Sequence, residues 1–271
     1  MLHNRRDQLY RYLLLFVFSI FFIVPFGYAI YTSLLSKADI GHLVMPNLWT
    51  LENYRDIFET SDILIWYKNS IIVTFGILIG NLIVNTMAAY SLARLNFRGR
   101  GLVFFLVIGM MMVPYQVMII PIFSMIVDLK WLNSYQGLII PFLFQGFLVF
   151  LMRQFFMTVP KELEEAAEVD GLNKIGIFFR IMLPLSKGAI GTQIIFSFTG
   201  TWNSFVWPVT LVNDSRWYVM TVGLNTLKNR YFEWPNLTMT GVVLLTLPII
   251  VVFLMFQRHM VQGIATTGLK G

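Results

Sequence analysis

Six stretches of the chain are apolar over nearly their whole length: residues 12–34, 69–93, 101–127, 135–152, 188–212 and 239–257. None of them contains Asp, Glu, Lys or Arg. A helix needs about 20 apolar residues to cross the hydrocarbon of a bilayer, so each stretch predicts one membrane-spanning helix. Pro114, Pro121, Pro141 and Pro248 interrupt them and predict kinks, tolerable where neighbouring helices or local adjustments satisfy the freed carbonyls. Polarity returns in a patterned form between the fourth and fifth stretches, where residues 158–186 read TVPKELEEAAEVDGLNKIGIFFRIMLPLS. Pro160 suits a helix's first turn, and Glu162, Glu164 and Glu165 follow where the positive end of the helix dipole favours carboxylates. Ala166 and Ala167 offer a flat, close-approach surface. Gly171 can take the left-handed conformation that ends such a helix, and a second, amphipathic helix with Phe178, Phe179, Ile181 and Met182 then runs to Pro184. The pattern predicts an all-α membrane protein with six transmembrane helices and a short charged knob outside the lipid.

Composition agrees with a bilayer as solvent. The 271 residues are 57% hydrophobic and 13% charged, with a mean hydropathy of +0.69. The loops between spans form two sets of 67 residues each, which makes a comparison of their charges fair. The set holding both termini and the knob (1–11, 94–100, 153–187, 258–271) carries 13 Lys and Arg, and the other (35–68, 128–134, 213–238) carries 7. By the positive-inside rule both termini and the knob are expected in the cytoplasm. All seven Trp fall in or near the opposite side, where an interfacial aromatic belt would place some of them. The first stretch is too long for a signal-peptide core and lacks a convincing small-residue cleavage site despite the basic HNRR before it. It is therefore expected to be a retained helix, with the mature chain starting near Met1. The net charge of +6 mostly restates this topology; the basic residues sit in separate loops and make no case for nucleic acid.

Several chemistries are missing from the sequence. No Gly-rich loop ends in Gly-Lys-Ser or Gly-Lys-Thr, so the chain has no recognisable nucleotide site. Cys is absent and His3, His42 and His259 are isolated, so metal, haem and thiol chemistry are not expected, and neither is a cofactor. Carriers driven by protons or ions usually need charged groups within the membrane, and the six spans have none. The energy for any transport has to come from another chain.

The knob points to a family. EAA at 165–167, Asp170-Gly171 and Leu183-Pro184-Leu185, at this spacing, resemble the coupling loop of ABC importer permeases, departing from its pattern at Leu172 and Gly188. MVPYQVMIIP at 112–121, LKWLNSYQGLIIP at 129–141, FLMRQFFMTVPKELEEAA at 150–167, WNSFVWP at 202–208, MTVGL at 220–224 and the tail RHMVQGIATTGLKG are similar to the carbohydrate-uptake branch, specifically the smaller maltose-type permease partner. The resemblance implies a type I ABC importer permease fold in a bacterial-type inner membrane. It implies a permease core at 67–257 with the coupling loop at 158–186. Before the core come an N-terminal tail, first helix and outer loop at 1–66, and after it a cytoplasmic tail at 258–271. It further implies a second permease subunit, two ATP-binding cassette subunits that hold all ATP hydrolysis, and an extracytoplasmic solute-binding protein; this chain is then a transport subunit and not an enzyme. Glu165, Ala166, Ala167, Asp170, Gly171, Leu183 and Pro184 are the residues the resemblance sets against the ATPase, and the C-terminal tail is expected to lie against the ATPase pair.

Within the spans, Asn81 and Asn85 lie four apart on one helix face, placed to line a sugar path or to bond a neighbouring helix. Gln116, Gln145, Gln193 and Asn203 are uncharged groups suited to sugar hydroxyls, and Trp202 or Trp207 offers an aromatic face to a sugar ring. Helix contacts and an aromatic belt explain the same residues. An importer for an amino acid or a polyamine would carry the same knob, and a secondary carrier is the rival from another class.

Overall fold

The computed structural model describes residues 3–40, 49–230 and 234–267. The side chains of His3, Lys228 and His259, all of His42 and the tail after Thr267 lie outside the described residues. In chain order the helices are α1 (His3–Ser33), α2 (Glu52–Thr60), α3 (Ile63–Arg94), α4 (Arg100–Met112), α5 (Tyr115–Asp128), α6 (Tyr135–Ile139) and α7 (Gly146–Thr158). They continue as α8 (Glu162–Val169), α9 (Lys174–Ile177), α10 (Leu183–Leu185), α11 (Lys187–Trp202), α12 (Val206–Leu211), α13 (Met220–Arg230) and α14 (Pro235–Thr267). Among the described residues the β pairing is a single bridge between Leu35 and Trp49. Helices are what a bilayer allows, because every backbone group inside the hydrocarbon has to find its partner within its own segment.

The chain packs as two units, Met1–Leu64 with Val222–Pro248 and Ile65–Thr221 with Ile249–Gly271. The first is pinned by one buried amide. Asn53, on α2, donates to the Ser33 and Leu35 carbonyls at 2.9 and 2.8 Å and accepts from Asn236 Nδ2 at 2.7 Å. The Ser33 carbonyl at the end of α1 has no donor within its own helix, and Asn53 satisfies it together with the Leu35 carbonyl just beyond. The second unit holds the knob and the cavity described below.

Among the described residues three segments are long, continuous and apolar enough to cross a membrane: Gln8–Ser33, Ile63–Arg94 and Pro235–Arg258. Three further spans exist only if bent pairs count as one: α4 with α5, Tyr135–Phe142 with α7, and Lys174–Leu185 with α11, bent by 102°, 41° and 78°. The third predicted span, 101–127, is therefore no simple rod. Proline disfavours helical backbone in the residue before it, and Val113, at ψ 118°, and Pro114, at ψ 127°, are both extended. Pro121 and Pro248, by contrast, sit inside continuous helices. The predicted span 188–212 also breaks, since α11 stops at Trp202 and helix resumes at Val206. Asn203 turns its amide back onto Thr199 O at 3.0 Å, competing with the helical ladder. Pro208 has no N–H for the Ser204 carbonyl four residues earlier, and Thr221 Oγ1 donates to it instead, at 2.6 Å. The helices also outrun the predicted spans, so α3 ends on Arg94 and α7 includes Arg153.

Candidate functional site

The knob is α8, a tight turn, and a second helix running from α9 to α10. Its first helix begins at Glu162, two residues after Pro160, with Glu162, Glu164 and Glu165 in the opening turn. Gly171 has φ +84°, the left-handed conformation expected of it. Around it the chain closes a Schellman cap: Leu172 N–H donates to Ala167 O at 2.9 Å and Gly171 N–H to Glu168 O at 3.0 Å. Leu172, at the position that such a cap favours for an apolar contact, packs on the core beneath. Asn173 then opens the second helix, its Oδ1 accepting from Gly176 N–H at 2.8 Å. Lys174 and Glu168 form an ion pair across the turn. Phe178–Met182 make a π-turn, with Leu183 N–H donating to Phe178 O five residues back. A wide turn of this kind accommodates Pro184, which cannot donate to the ladder.

The two alanines of the EAA triplet do not form one flat surface. Ala167 is 4% exposed and belongs to the core cluster beneath the knob, whereas Glu165 and Ala166 face outward with Asp170. Helical periodicity is the cause, because Glu164 and Ala167, three apart, share the inward face. Leu183 is half-buried and Pro184 exposed. Beneath them Tyr90 and Leu92 of α3, Val149, Met152 and Phe156 of α7, and Ile177, Phe178 and Met182 of the knob's second helix form one apolar cluster. Tyr90 meets Phe156 edge-on at 5.9 Å and Phe178 at 5.1 Å.

Charge reinforces that packing. Arg94 Nε lies 2.9 Å from Glu164 Oε1, with the two side chains only 6% and 8% exposed. Arg94 also donates to Val159 O, the carbonyl just past the end of α7. Arg153, on α7, donates to Leu92 O at 3.2 Å and lies over the Phe104 ring at 3.7 Å. Reading the sequence alone misses Arg94 and Arg153 and gives Glu164 only a place in the first turn of its helix, because the partners lie far away along the chain.

Along α3 from the knob, a buried polar network crosses to its neighbours. With its amide nitrogen toward Phe142 O and Leu143 O (2.9 and 3.0 Å), Asn81 accepts from Ser197 Oγ at 2.9 Å and from Gln145 Nε2 at 3.0 Å. Asn85 Oδ1 accepts from Gln145 N–H at 3.1 Å, at the break before α7 where a backbone donor lacks a helical partner. Gln193 donates to Asn81 O at 2.9 Å and meets Thr86 Oγ1 at 3.2 Å. Asn81, Asn85 and Gln193 are fully buried and do not line the cavity.

That cavity, of 860 Å³, lies at the bend between α4 and α5 and is walled by α3, α5, α7 and α11. Its lining is mostly aromatic and aliphatic, with Tyr115, Gln145, Ser197 and Thr201 among its polar members and, among the described residues, no Asp, Glu, Lys or Arg. Trp202 lines it, stacked on Phe198 at 5.5 Å. Trp207 lines it too, its indole N–H donating to Gly137 O at 3.2 Å. Gln116 and Asn203 are exposed and lie outside the lining. Tyr115, beside Gln116, is the residue that reading by composition misses: its hydroxyl is buried, has no hydrogen-bond partner among the described residues and borders the cavity. Gly146 allows α7 to approach α4, since a Cβ there would meet Val107 O at 2.9 Å.

A bent-helix membrane core around a cavity, carrying a rigid charged knob, is the architecture of an ABC permease. The chain superposes, with a TM-score of 0.82 and 23% identity over 94% of its length and 96% of the other, on a crystal structure of a bacterial ABC transporter involved in the import of the acidic polysaccharide alginate. A second crystal structure, of a bacterial alginate ABC transporter in complex with an alginate pentasaccharide-bound periplasmic protein, matches at TM-score 0.67 and 16% identity over 93% of each chain. The chain belongs to the family described as binding-protein-dependent transport system inner membrane component, which matches residues 85–266. It is a multi-pass membrane transport subunit and not an enzyme. Among its relatives are the arabinooligosaccharides transport system permease protein AraQ of Bacillus subtilis, 34% identical over 95% of this chain and 92% of that one, and the sn-glycerol-3-phosphate transport system permease protein UgpE of Yersinia pestis, 29% identical over 97% and 98%.

Proposed function

We propose that this subunit forms half of the path for a sugar or oligosaccharide, with a second permease subunit as the other half. A soluble binding protein delivers the solute from outside, and two cytoplasmic ATPase subunits act on the knob. The observation that carries this reading is the knob itself: Glu165, Ala166 and Asp170 face outward on a base locked by Gly171 and by the apolar cluster. In this reading those residues, with Gly171, Leu183 and Pro184, meet the ATPase, and the knob and both termini are cytoplasmic, as the excess of Lys and Arg supports. The C-terminal tail lies against the ATPase pair.

The solute class is supported by the relatives that carry arabinooligosaccharides and alginate and by the cavity. Uncharged hydroxyl and amide groups on aromatic walls suit sugar hydroxyls and the apolar faces of sugar rings. Among the described residues this chain's lining has no charged side chain, which favours a neutral sugar, such as the arabinooligosaccharides of the relative, over an amino acid or a polyamine. Mechanistically, ATP closes the ATPase pair, the closure moves the knob, and the helices it is packed on switch the cavity between the two sides of the membrane.

Two experiments test the reading. Glu165→Lys should abolish co-purification with the ATPase while leaving membrane insertion intact; wild-type retention would sink the ATPase contact. The chain has no Cys, so single cysteines replacing Lys174 and Lys228 report topology directly. Position 174 should be labelled only from the cytoplasm and position 228 only from outside, and the reverse pattern would overturn the orientation.

A further inference from the structure

The ends of α3 and α7 under the knob are tied in a way that packing alone does not need. Arg94, the last residue of α3, reaches the carbonyl just past α7, and Arg153 of α7 reaches the Leu92 carbonyl near the end of α3. The last carbonyls of a helix lack intrahelical donors and form its negative pole, so each helix sends a cation to the other's pole. Arg94 has a second engagement, with Glu164 on the knob's first helix. We propose that Arg94 and Arg153 form a reciprocal latch, engaged by Glu164, that carries displacement of the knob into α3 and α7 and so into the cavity.

Three features support this assignment, which rests on the reading of the knob as the ATPase contact. First, Arg94 Nε and Glu164 Oε1 are close and buried yet make no directed hydrogen bond. Inside a protein the energy of such a pair changes steeply with small shifts. Second, both latched helices continue to the cavity: α3 places Thr74 and Ser70 in its wall, and α7 places Gly146 and Phe147 there. Third, the Asn81–Ser197 and Asn85–Gln145 contacts brace α3 against α11 and the start of α7 on the way. Buried ion pairs contribute little net stability compared with well-packed apolar residues of similar volume. Arg94 and Glu164 are thus positioning residues, and stability alone does not account for them.

The test uses the whole complex in proteoliposomes, with Thr201→Cys as the single cysteine in the cavity wall. Its rate of labelling by a membrane-impermeant maleimide is read with and without a non-hydrolysable ATP analogue. The unlatched variant is Arg94→Met with Glu164→Leu, an apolar pair that keeps the knob packed. It should retain the ATPase, and the nucleotide-driven change in labelling rate seen with Arg94 and Glu164 in place should be lost. A full response in this variant overturns the latch. If the variant loses the ATPase, Arg153→Met carries the test, since it cuts the link from α7 to α3 and leaves Arg94 and Glu164 in place, with an apolar side chain kept beside the Phe104 ring: loss of the response supports the latch and an unchanged response overturns it. Glu165→Lys in the same preparation separates the two readings. If that variant keeps its ATPase, the knob contact fails and the latch with it; if the ATPase is lost, the contact stands and the latch variants decide.

Discussion

The two ends of α3 are fastened by different chemistry. At the knob end, Arg94, Glu164 and Arg153 bring full charges into a largely buried junction. At the other end, some 25 residues and so about 37 Å away along the helix, the fastening is neutral. Asn69 Nδ2 donates to Arg216 O and Tyr218 O, both at 2.9 Å, and Asn69 Oδ1 accepts from Tyr135 at 2.8 Å. Ser70 Oγ accepts from Met220 N–H at 2.8 Å, and Asn133 and Asn213 bond each other reciprocally. A neutral amide satisfies donors and acceptors at once and costs far less to bury than a charge. A junction that only has to stay shut is best made from amides. Charge at the knob end makes its strength sensitive to position, as the proposed latch requires.

The comparison yields graded expectations. The largest effect belongs to Glu165→Lys, which reverses an exposed charge on the outward side of the knob, where we propose the ATPase binds. Losing one side of a charged pair that becomes buried on binding costs about 2–5 kcal/mol, or roughly 30-fold to several thousand-fold in affinity for the ATPase, read by titration in detergent. Should it change affinity by less than twofold, the contrast between the ends loses its functional meaning. At the neutral end, Asn69→Ala leaves two carbonyls and a phenol without their partner and should lower stability by about 1–3 kcal/mol, visible as a lower melting temperature with ATPase binding intact. Back on the knob, Gly171→Val should cost a similar 1–3 kcal/mol through backbone strain alone, because an added Cβ meets nothing within 4 Å. The second knob helix is then misdirected, so ATP hydrolysis should persist while uptake falls; normal uptake would show that the left-handed turn is dispensable. The smallest change is expected from Asn133→Ala, which removes two hydrogen bonds near the surface for about 0.5–1.5 kcal/mol, measurable by thermal melting and silent in ATP hydrolysis.

What could be read from the sequence follows from how local each signal is. The knob was legible almost residue by residue, because Glu162 to Gly171 is a local helix with its own start and stop, and the expected left-handed Gly171 is what the structure has. Three spans were legible as continuous helices because an unbroken apolar run leaves a membrane segment no alternative. The bends were only half legible. Pro114 announces a break but not its 102°, which depends on what packs around it. The stop at Trp202 hid within an apolar run, where Asn203 acts through a carbonyl four residues back. Inward and outward faces were harder still. Tyr115 and Gln116 are neighbours with opposite environments, and Ala167 parts from Ala166 for the same reason. Arg94 and Glu164 were out of reach because nothing in either segment specifies the other.

The π-turn at Phe178–Met182 sets an angular phase. A wide turn stores one residue more than an α-helix of the same rise, and one residue is worth about 100° of rotation. Deleting a single residue there would let the turn wind as ordinary α-helix with both flanks still in phase, whereas a deletion in the α-helical turns on either side would swing one part by more than a quarter-circle relative to the other. The apolar stripe of Ile177, Phe178 and Met182 would then point away from the core it now fills. Substitutions that keep the count preserve this phase, so the exposed Phe179 should tolerate changes of residue, whereas Phe178 and Met182 are held by the core as well as by the count.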